Sequence, residues 1–399
     1  MKCETVKLSD VCDLIAGFAF KSKDFGDFDD KVIKIADIVP PRVEMKSLRG
    51  VNLSNYNKDK LKKYIAKPGD YVLAMTGATI GKIGRIYEKS AYINQRVLLF
   101  RPHKEIDKDF LYYTICARSF YDYIISFVDS ETAQPNISAT TIGKYELYLP
   151  PLNIQNEIAS ILQSLDDKIE LNNKINKNLE QQSQALYQNL FIDNADVEWK
   201  QGTISDLGTV VGGSTPSKSK PEYYTENGIA WITPKDLSVN KSKFISHGAN
   251  DITELGLKSS SASIMPEGTV LFSSRAPIGY IAIASGEMTT NQGFKSVVPK
   301  PEIGTAFVYY FLKHNLPVIE GMASGSTFKE ISGSTMKNIP AVIPDTATLF
   351  KFNDFCKPLF AQQKILEEQN QSLAALRDSI LPKLMSGQID LRTLNAIYF

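Results

Sequence analysis

The strongest constraint on the fold is an internal repeat that runs through almost the whole chain. Short motifs of the first half recur in the same order in the second half, at an offset of about 194 to 199 residues. A period of this length is too long for a solenoid, so it indicates the duplication of one complete module. The matched segments are residues 8–10 with 204–206, 68–73 with 266–271, 80–81 with 278–279, 94–95 with 291–292, 110–113 with 307–310, and 137–142 with 331–336.

Each module opens with roughly 150 residues in which short apolar runs alternate with Gly, Pro, Asn and Ser, a pattern typical of strands joined by turns. We therefore expect an α+β, strand-dominated module. The predicted strands are residues 32–35, 71–74, 96–100, 230–232 and 270–272, and the predicted helices are residues 110–126 and 306–314.

A long helix is predicted to close each module. Residues 153–189 contain neither Gly nor Pro, and apolar or small residues recur there in steps of three and four, which is typical of a coiled-coil seam. Each helix would be about 50 to 60 Å long and needs a partner to bury its apolar stripe. Because a whole module lies between the two helices, we expect them to form an antiparallel coiled coil. The seam positions are Leu165, Ile169, Asn172, Asn176, Leu179, Ser183, Leu186 and Leu190, and then Leu359, Gln363, Leu366, Asn370, Leu373, Arg377, Ile380 and Leu384.

Three residues within this pattern carry further expectations. Asn176 and Asn370 occupy equivalent seam positions, where they either fix the register of the two helices or lie at a wet edge of the seam. Pro382 is expected to kink or break the second helix near residues 380–381. Gly387 is expected to end it.

The resulting domain organisation has two modules and two helices in alternation. The predicted limits are a first recognition domain at 1–151, a first long helix at 152–193, a second recognition domain at 194–346, a second long helix at 347–390, and a C-terminal tail at 391–399.

Residue patterns that carry catalysis are missing from the sequence. Residues 77–83 are one residue short of a phosphate-binding loop and have Ile where its Ser or Thr belongs. The three histidines and four cysteines are scattered without metal-ligand spacing, so we expect no metal site and reduced thiols. The chain also lacks the apolar run of a signal peptide or a bilayer span, so we expect a cytoplasmic protein. These absences favour recognition or scaffolding over catalysis.

Basic and amide side chains suited to DNA occur at similar places in both modules. The net charge of +1 means either that the basic residues gather on one face or that a partner holds most of the DNA. Lys and Arg bind phosphates, and Arg, Asn and Gln bind base edges. A solvated surface, an ordinary tight turn, or Asn and Gln side chains that cap neighbouring strands are the alternatives. The candidates are Lys34, Thr76, Gly77, Ala78, Thr79, Lys82, Asn94, Gln95, Arg96, Lys218, Lys220, Tyr223, Lys235, Ser273, Ser274, Arg275, Tyr280, Asn291 and Gln292; Lys241 and Lys243 belong to the same basic cluster.

The ordered set of motifs resembles the specificity subunits of type I restriction-modification systems over essentially the full length. The matching segments are residues 7–10, the Pro-Gly-Asp strand and glycine-rich loop at 68–82, Asn94-Gln95 and Asn291-Gln292, the approach to the first helix at 137–151, and residues 376–387 near the end. The last segment is the most specific of these. Residues 350–353, Phe-Lys-Phe-Asn, depart from the usual opening of the second helix in that family.

The resemblance implies a DNA-binding subunit of an antiphage defence system, with no catalytic group of its own. Each target-recognition domain would read one half of a bipartite sequence in double-stranded DNA. The paired helices would set the spacer and dock two modification subunits. S-adenosylmethionine would bind to those methyltransferase subunits, and ATP with magnesium to restriction subunits, so that this chain needs no cofactor.

Two hypotheses from other functional classes are alternatives to a DNA-specificity subunit. A coiled-coil scaffold with two protein-binding domains would bind partners without any dependence on DNA or salt. An enzyme, such as an orphan nuclease or a methyltransferase fragment, would need catalytic residues that the known motifs do not reveal.

Overall fold

The computed structural model describes residues 4–128, 135–325 and 329–388, so the predicted tail at 391–399 and Cys3 lie outside the described residues. The chain divides into two compact units. The first joins the residues up to Lys168 with those from Leu373 onward, and the second comprises Ile169–Ser372. Both divisions fall inside the long helices, so each unit contains one module and a part of each helix.

The first unit contains two sheets and a two-stranded ribbon. The ribbon pairs Glu4–Lys7 with Glu146–Leu149. One sheet has the order Cys12–Ala16, Val97–Pro102, Tyr71–Ala74, Ile83–Arg85, Arg42–Val43 and Ile38–Val39. The other has the order Arg49–Val51, Phe25–Ile33, Ala91–Ile93 and Ile65–Ala66.

The second unit repeats this arrangement. Its ribbon pairs Lys200–Thr203 with Pro340–Ile343. One sheet has the order Gly208–Gly212, Lys295–Pro299, Val270–Ser274, Ile278–Ala284 and Phe244–Ile245. The other has the order Tyr224–Thr225, Asp251–Ile252, Ile229–Ile232 and Thr289–Thr290. The predicted α+β duplication is confirmed.

The central strands read as continuous apolar runs because both of their faces are buried. In Val97–Pro102, Leu98 and Phe100 pack into a core shared with the helices. Val97 and Leu99 alternate with them and pack into a second core on the opposite face. Alternation along a strand places successive side chains on opposite faces, so a fully buried strand shows no polar alternation.

Short helices surround the sheets. Residues 110–126 were expected to form one helix, but the structure breaks it at Ala117, whose ψ of 147° is extended. In the first unit the α-helices are Leu8–Val11, Lys58–Leu61, Lys108–Cys116, Arg118–Ser126 and Ala139–Gly143. In the second they are Ile204–Leu207, Pro234–Val239, Glu254–Lys258, Thr305–His314, Leu316–Gly321 and Gly333–Lys337. The 3₁₀ turns are Ser22–Asp24, Ile35–Asp37, Met45–Ser47, Lys62–Tyr64, Gly77–Thr79 and Pro221–Tyr223.

The two long helices span Leu152–Gln188, with a π-helical turn at Asn189–Asp193, and Thr346–Met385. All the predicted seam residues are buried or half-buried. Within the second unit the helices run antiparallel, because Asn172 Nδ2 donates to Asn370 Oδ1 at 2.9 Å and Gln363 Nε2 donates to the carbonyl oxygen of Asn176 at 3.2 Å. Asn370 therefore bonds to Asn172, and Asn176 contributes its backbone oxygen to the seam.

The end of the second helix differs in part from the prediction. The helix continues through Pro382 to Met385, so Pro382 does not break it. Gly387 follows with a φ of 69°, a conformation that favours glycine and ends the helix as expected.

Each module packs onto both long helices of its own unit. In the first unit, Leu162 of the first helix and Leu384 of the second lie in one core with Phe110. In the second unit, Tyr187 and Phe352 occupy the corresponding places beside Phe307. In the described ranges no helix is long and apolar enough to cross a membrane.

Candidate DNA interface

In the first unit, three segments that are distant in sequence meet at one end of two interior strands of the six-stranded sheet, Tyr71–Ala74 and Val97–Pro102. The side chain of Thr76 and the backbone N–H of Gly77 both donate to the carbonyl oxygen of Pro135, each at 2.9 Å. Arg96 Nη1 lies 3.4 Å from Asn136 Oδ1. The loop after the strand Tyr71–Ala74, the turn before Val97 and the segment from Pro135 therefore form one surface, which we call the first loop surface.

Its exposed groups suit a polyanion. Ala78, Lys82, Gln95 and Arg96 are exposed to solvent. Gly77 has a φ of 71°, and a Cβ atom added there would meet open space. The backbone at Gly77 is thus accessible, and glycine is required there by conformation rather than by crowding.

Lys34 adjoins this surface through strand pairing. Ile33 pairs with Ile93 in parallel register, and the N–H of Asn94 donates to the carbonyl oxygen of Ile33 at 2.9 Å. The next residues, Lys34 and Asn94, therefore follow the ends of adjacent strands. The ammonium of Lys34 also lies 3.8 Å from the centre of the Phe25 ring.

The second unit builds an equivalent second loop surface with different residues. The N–H of Ile331 donates to the carbonyl oxygen of Ser274 at 2.9 Å, so residues 330–331 lie beside the loop as residues 136–137 do in the first unit. Arg275 Nη1 and Lys295 Nζ lie 3.5 and 3.6 Å from the two carboxylate oxygens of Glu330. The bridge between Arg275 and Glu330 matches the bridge between Thr76 and Asn136, so Arg275 occupies the place of Thr76 and Glu330 that of Asn136.

Further polar groups extend the second loop surface. The hydroxyl of Thr215 bonds to the side-chain oxygen of Gln292. Lys218 and Lys220 follow Thr215 in the chain and lie in the exposed segment 217–220. Lys235 is also exposed, close to Asn291, whose N–H donates to the carbonyl oxygen of Ile232 at 2.9 Å.

Several sequence candidates have buried side chains and are removed from the set that can contact a ligand directly. Ser273 and Ser274 are fully buried, and their hydroxyls donate to the carbonyl oxygens of Pro277 and Gly293. Thr76, Tyr223 and Lys243 are also buried. The two serines and Thr76 shape the loops from within.

Asn94 and Asn291 use part of their hydrogen-bonding capacity locally. The side-chain oxygen of Asn94 accepts from the N–H of Gln95 at 3.0 Å, and that of Asn291 accepts from the N–H of Gly293 at 2.8 Å. Among the described residues, no hydrogen-bond partner of either amide NH₂ group was found. The Asn-Gln motif therefore holds the turn and presents the glutamine.

Sequence reasoning missed Asn136, Thr215, Lys295 and Glu330. A usable signal existed for two of them, because Asn136 and Glu330 each precede the repeated Ile-Ser pair. Thr215 and Lys295 had no such signal, since only the folded sheet brings them to the loops. No group of His, Cys, Asp or Glu residues capable of holding a metal ion was found in the described part of the chain.

Comparison with known proteins decides the family. The sequence profile described as "Type I restriction modification DNA specificity domain" matches residues 2–181 and again 196–376. The chain belongs to the type I restriction-modification specificity family. Each of the two matched segments contains one target-recognition domain and most of the long helix that follows it.

Individual relatives are named as specificity subunits of type I restriction enzymes. The chain is 40% identical over 180 residues to the type I restriction enzyme MjaIX specificity subunit of Methanocaldococcus jannaschii. The aligned segment covers 43% of this chain and 41% of that protein. It is 23% identical over 374 residues to the HindI specificity subunit of Haemophilus influenzae, which covers 74% of this chain and 81% of the relative. The fold is that of the S subunit from M. genitalium, with a TM-score of 0.59, 17% identity and 96% of both chains covered.

Each target-recognition domain contacts the long helices of its unit through a tyrosine bonded to a carboxylate of the first long helix. In the first unit Tyr113 donates to Asp166 at 2.8 Å, and Arg377 of the second helix donates to the same carboxylate at 2.7 Å. Burial opposes the charge of Arg377, but the bonds to Asp166 and Asp378 outweigh it and raise the pKa of the guanidinium. Asp166 therefore connects the first domain, through Tyr113, with the second long helix, through Arg377. We call this contact the first joint.

In the second unit the equivalent tyrosine, Tyr310, donates to Glu180 at 2.8 Å. Glu180 also accepts from Lys313 at 2.7 Å and pairs with Lys243. Burial alone would raise the pKa of the Glu180 carboxyl, but the two ammonium groups outweigh burial and lower it to about 2. Burial lowers the pKa of Lys243. The second joint therefore concentrates three charged groups in a largely buried place.

Proposed function

We propose that this chain is the DNA-reading subunit of a type I restriction-modification enzyme, in which each target-recognition domain reads one half of a bipartite sequence. The observation that supports this most directly is the pair of loop surfaces. The two domains share one frame, yet Thr76 and Asn136 of the first correspond to Arg275 and Glu330 of the second. Arginine suits the acceptors of guanine and glutamate suits the amino group of cytosine, so the two surfaces would favour different bases.

Lysines around each surface would bind phosphates and hold the domain on the duplex. In the first domain these are Lys34 and Lys82, and in the second Lys218, Lys220 and Lys235. The net charge is only +1, so we expect partner subunits to supply part of the electrostatic affinity.

Catalysis would lie on the partners. Two modification subunits would bind S-adenosylmethionine and methylate adenine, and restriction subunits would use ATP with magnesium to translocate and cleave DNA. The paired helices would hold the two domains at a fixed separation and so set the spacer. The complex would act in the cytoplasm against incoming phage DNA.

The helices also offer a repeated surface to which two copies of one partner could dock. Leu171 of the first long helix and Ile365 of the second are separated by the repeat offset of about 194 residues. Their exposed fractions are 50% and 47%. Two exposed aliphatic side chains at equivalent positions fit two copies of one modification subunit, one on each.

Glutamate at these positions is expected to remove modification subunits one at a time. In the variants Leu171→Glu and Ile365→Glu, a charge would be buried without a partner in one of the two interfaces. Each single variant should therefore bind one modification subunit and the double variant none, as measured by light scattering of purified complexes. Leu255→Glu, at a residue 55% exposed on the second domain, serves as the control and should bind two. Retention of both subunits by the double variant would place the interface elsewhere.

Exchange of the exposed residues in one loop is expected to change one half-site only. Replacing residues 77–79 and 82 with those of a relative that reads another sequence should alter the half of the motif assigned to the first domain, since its loop contacts lie within the first unit. Methylation mapping would show the new half-site beside an unchanged second half. A change in both halves would contradict independent reading.

The proposal as a whole is tested by mapping N6-methyladenine in cells that express this chain with its modification subunit. A two-part motif with a fixed spacer should appear, and it should be absent from cells that lack this chain. If the subunits co-purify and no motif appears, the hypothesis of a coiled-coil scaffold would replace that of DNA recognition.

A further inference from the structure

We propose that Lys243, Glu180 and Glu367 form a lock that positions the second target-recognition domain on the helix pair, which makes Lys243 a positioning residue for the spacing between half-sites. This inference rests on the proposed function. Lys243 belongs to the domain, whereas Glu180 and Glu367 belong to the first and second long helices.

The side chain of Lys243 is only 6% exposed, yet its ammonium is fully surrounded by partners. It pairs with Glu180 and donates to Gln363 Oε1 at 2.7 Å. It also lies 4.0 Å from the centre of the Phe360 ring. A buried ammonium is costly in any arrangement that loses these partners, so one orientation of the domain is favoured over its neighbours.

The backbone at Lys243 is held as well. Its N–H and that of Phe244 donate to the two oxygens of Glu367 at 2.9 and 3.0 Å. Two parallel bonds to one carboxylate fix the direction of the strand Phe244–Ile245 relative to the second long helix.

This strand leads directly to the second loop surface. Phe244 pairs with Ile283 in the strand Ile278–Ala284, which begins at the end of the loop that carries Arg275. Tyr280 of the same strand lies under the ammonium of Lys241, 4.3 Å from the ring centre. A continuous path of strand pairing thus joins the lock to the residues proposed to read DNA.

Among the described residues of the first unit, no ammonium lies at the corresponding place. There Arg42 pairs with Arg85, as Phe244 pairs with Ile283, so Pro41 corresponds to Lys243. The space next to Pro40 and Pro41 is an open cavity of about 600 Å³ that Asp166 and Arg377 also line. Asp166 takes its positive partner from the second helix rather than from the domain. The lock is therefore specific to the second domain within the described residues.

The test compares Lys243→Met with wild type in the complete modification complex, on a DNA library whose two half-sites are separated by the cognate spacer or by one base pair more or less. Loss of the lock should lower the preference for the cognate spacer about tenfold, because a buried charge pair no longer disfavours tilted orientations. Lys258→Met, which removes an exposed lysine paired with Glu254 in the same unit, should leave the preference unchanged. Glu367→Gln keeps the ammonium pair and should give a smaller change in the same direction.

The outcomes separate the two proposals. Failure of the wild-type complex to methylate any two-part motif would defeat the proposed function itself. A second outcome is a wild-type complex that prefers one spacer and a Lys243→Met complex that methylates all spacers more slowly with that same preference. This outcome would show a purely structural role for Lys243 and would overturn the lock. If Lys243→Met does not fold, the spacer preference of Glu367→Gln decides alone, and an unchanged value would overturn the lock.

Discussion

Insertion of one heptad into each long helix is expected to lengthen the spacer of the recognised sequence by about three base pairs. Seven helical residues add about 10.5 Å, and one base pair occupies about 3.4 Å. Because Asn172 bonds to Asn370, and Gln363 bonds to Asn176, the inserts belong after residue 172 and before residue 370. Both sets of seam contacts then keep their partners.

The insert also changes the rotation of the half-sites. Three base pairs turn the duplex by roughly 100°, whereas a heptad returns the helix almost to its starting angle. The complex must twist the DNA to engage both halves, so we expect slower methylation at the new motif than at the original one. Methylation mapping would show the longer spacer. An insert in the first helix alone breaks the register of the seam and should abolish methylation of the motif. An unchanged spacer with both inserts would show that the helices do not set the spacer.

Replacement of Glu180 by glutamine is expected to lower the free energy of unfolding by about 3 to 5 kcal/mol, the range found when one partner of a buried ion pair is removed. The variant leaves Lys243 and Lys313 without the carboxylate that both contact. Denaturant unfolding at pH 7 would measure the loss. Glu254→Gln breaks the pair with Lys258, whose side chains are 81% and 74% exposed, and should change stability by less than about 1 kcal/mol.

The effect of Glu180→Gln should depend on pH. The folded pKa of about 2 lies below the ordinary value of 4.5, so the carboxylate stabilises the fold fully above pH 4.5. That contribution is lost as the pH falls from 4.5 towards 2, because the unfolded chain takes up the proton first. The stability difference between wild type and the variant should therefore shrink across this window. A difference of the same size at pH 7 and pH 3 would show that the charge of Glu180 is not its source.

The features that the sequence predicted are those with a regular period. The repeat revealed the duplicated domain, and steps of three and four revealed the seam, because both follow from geometry that every helix and every copy shares. The break at Ala117 had no signal, since alanine favours a continuous helix.

Individual side-chain roles were less predictable. Lys243 belonged to a basic cluster in sequence, and nothing local distinguished it from exposed Lys235. Its burial depends on Glu180 and Glu367, which are 63 and 124 residues away. Likewise, Ser273 and Ser274 end the strand Val270–Ser274 and Thr76 comes soon after Tyr71–Ala74, and only the neighbouring segments decide that their side chains are buried.

The ribbons that open and close each domain have an evolutionary consequence. Glu4–Lys7 pairs with Glu146–Leu149, and Lys200–Thr203 pairs with Pro340–Ile343. The first and last strands of each domain are therefore adjacent, and the last strand ends a few residues before a long helix begins. Whatever lies between the two strands of a ribbon can differ in length and sequence without moving the helix that follows. Under the proposed function, recombination that replaces the segment between the two strands of a ribbon would give the complex a new half-site while the long helices, and with them its assembly, stay the same.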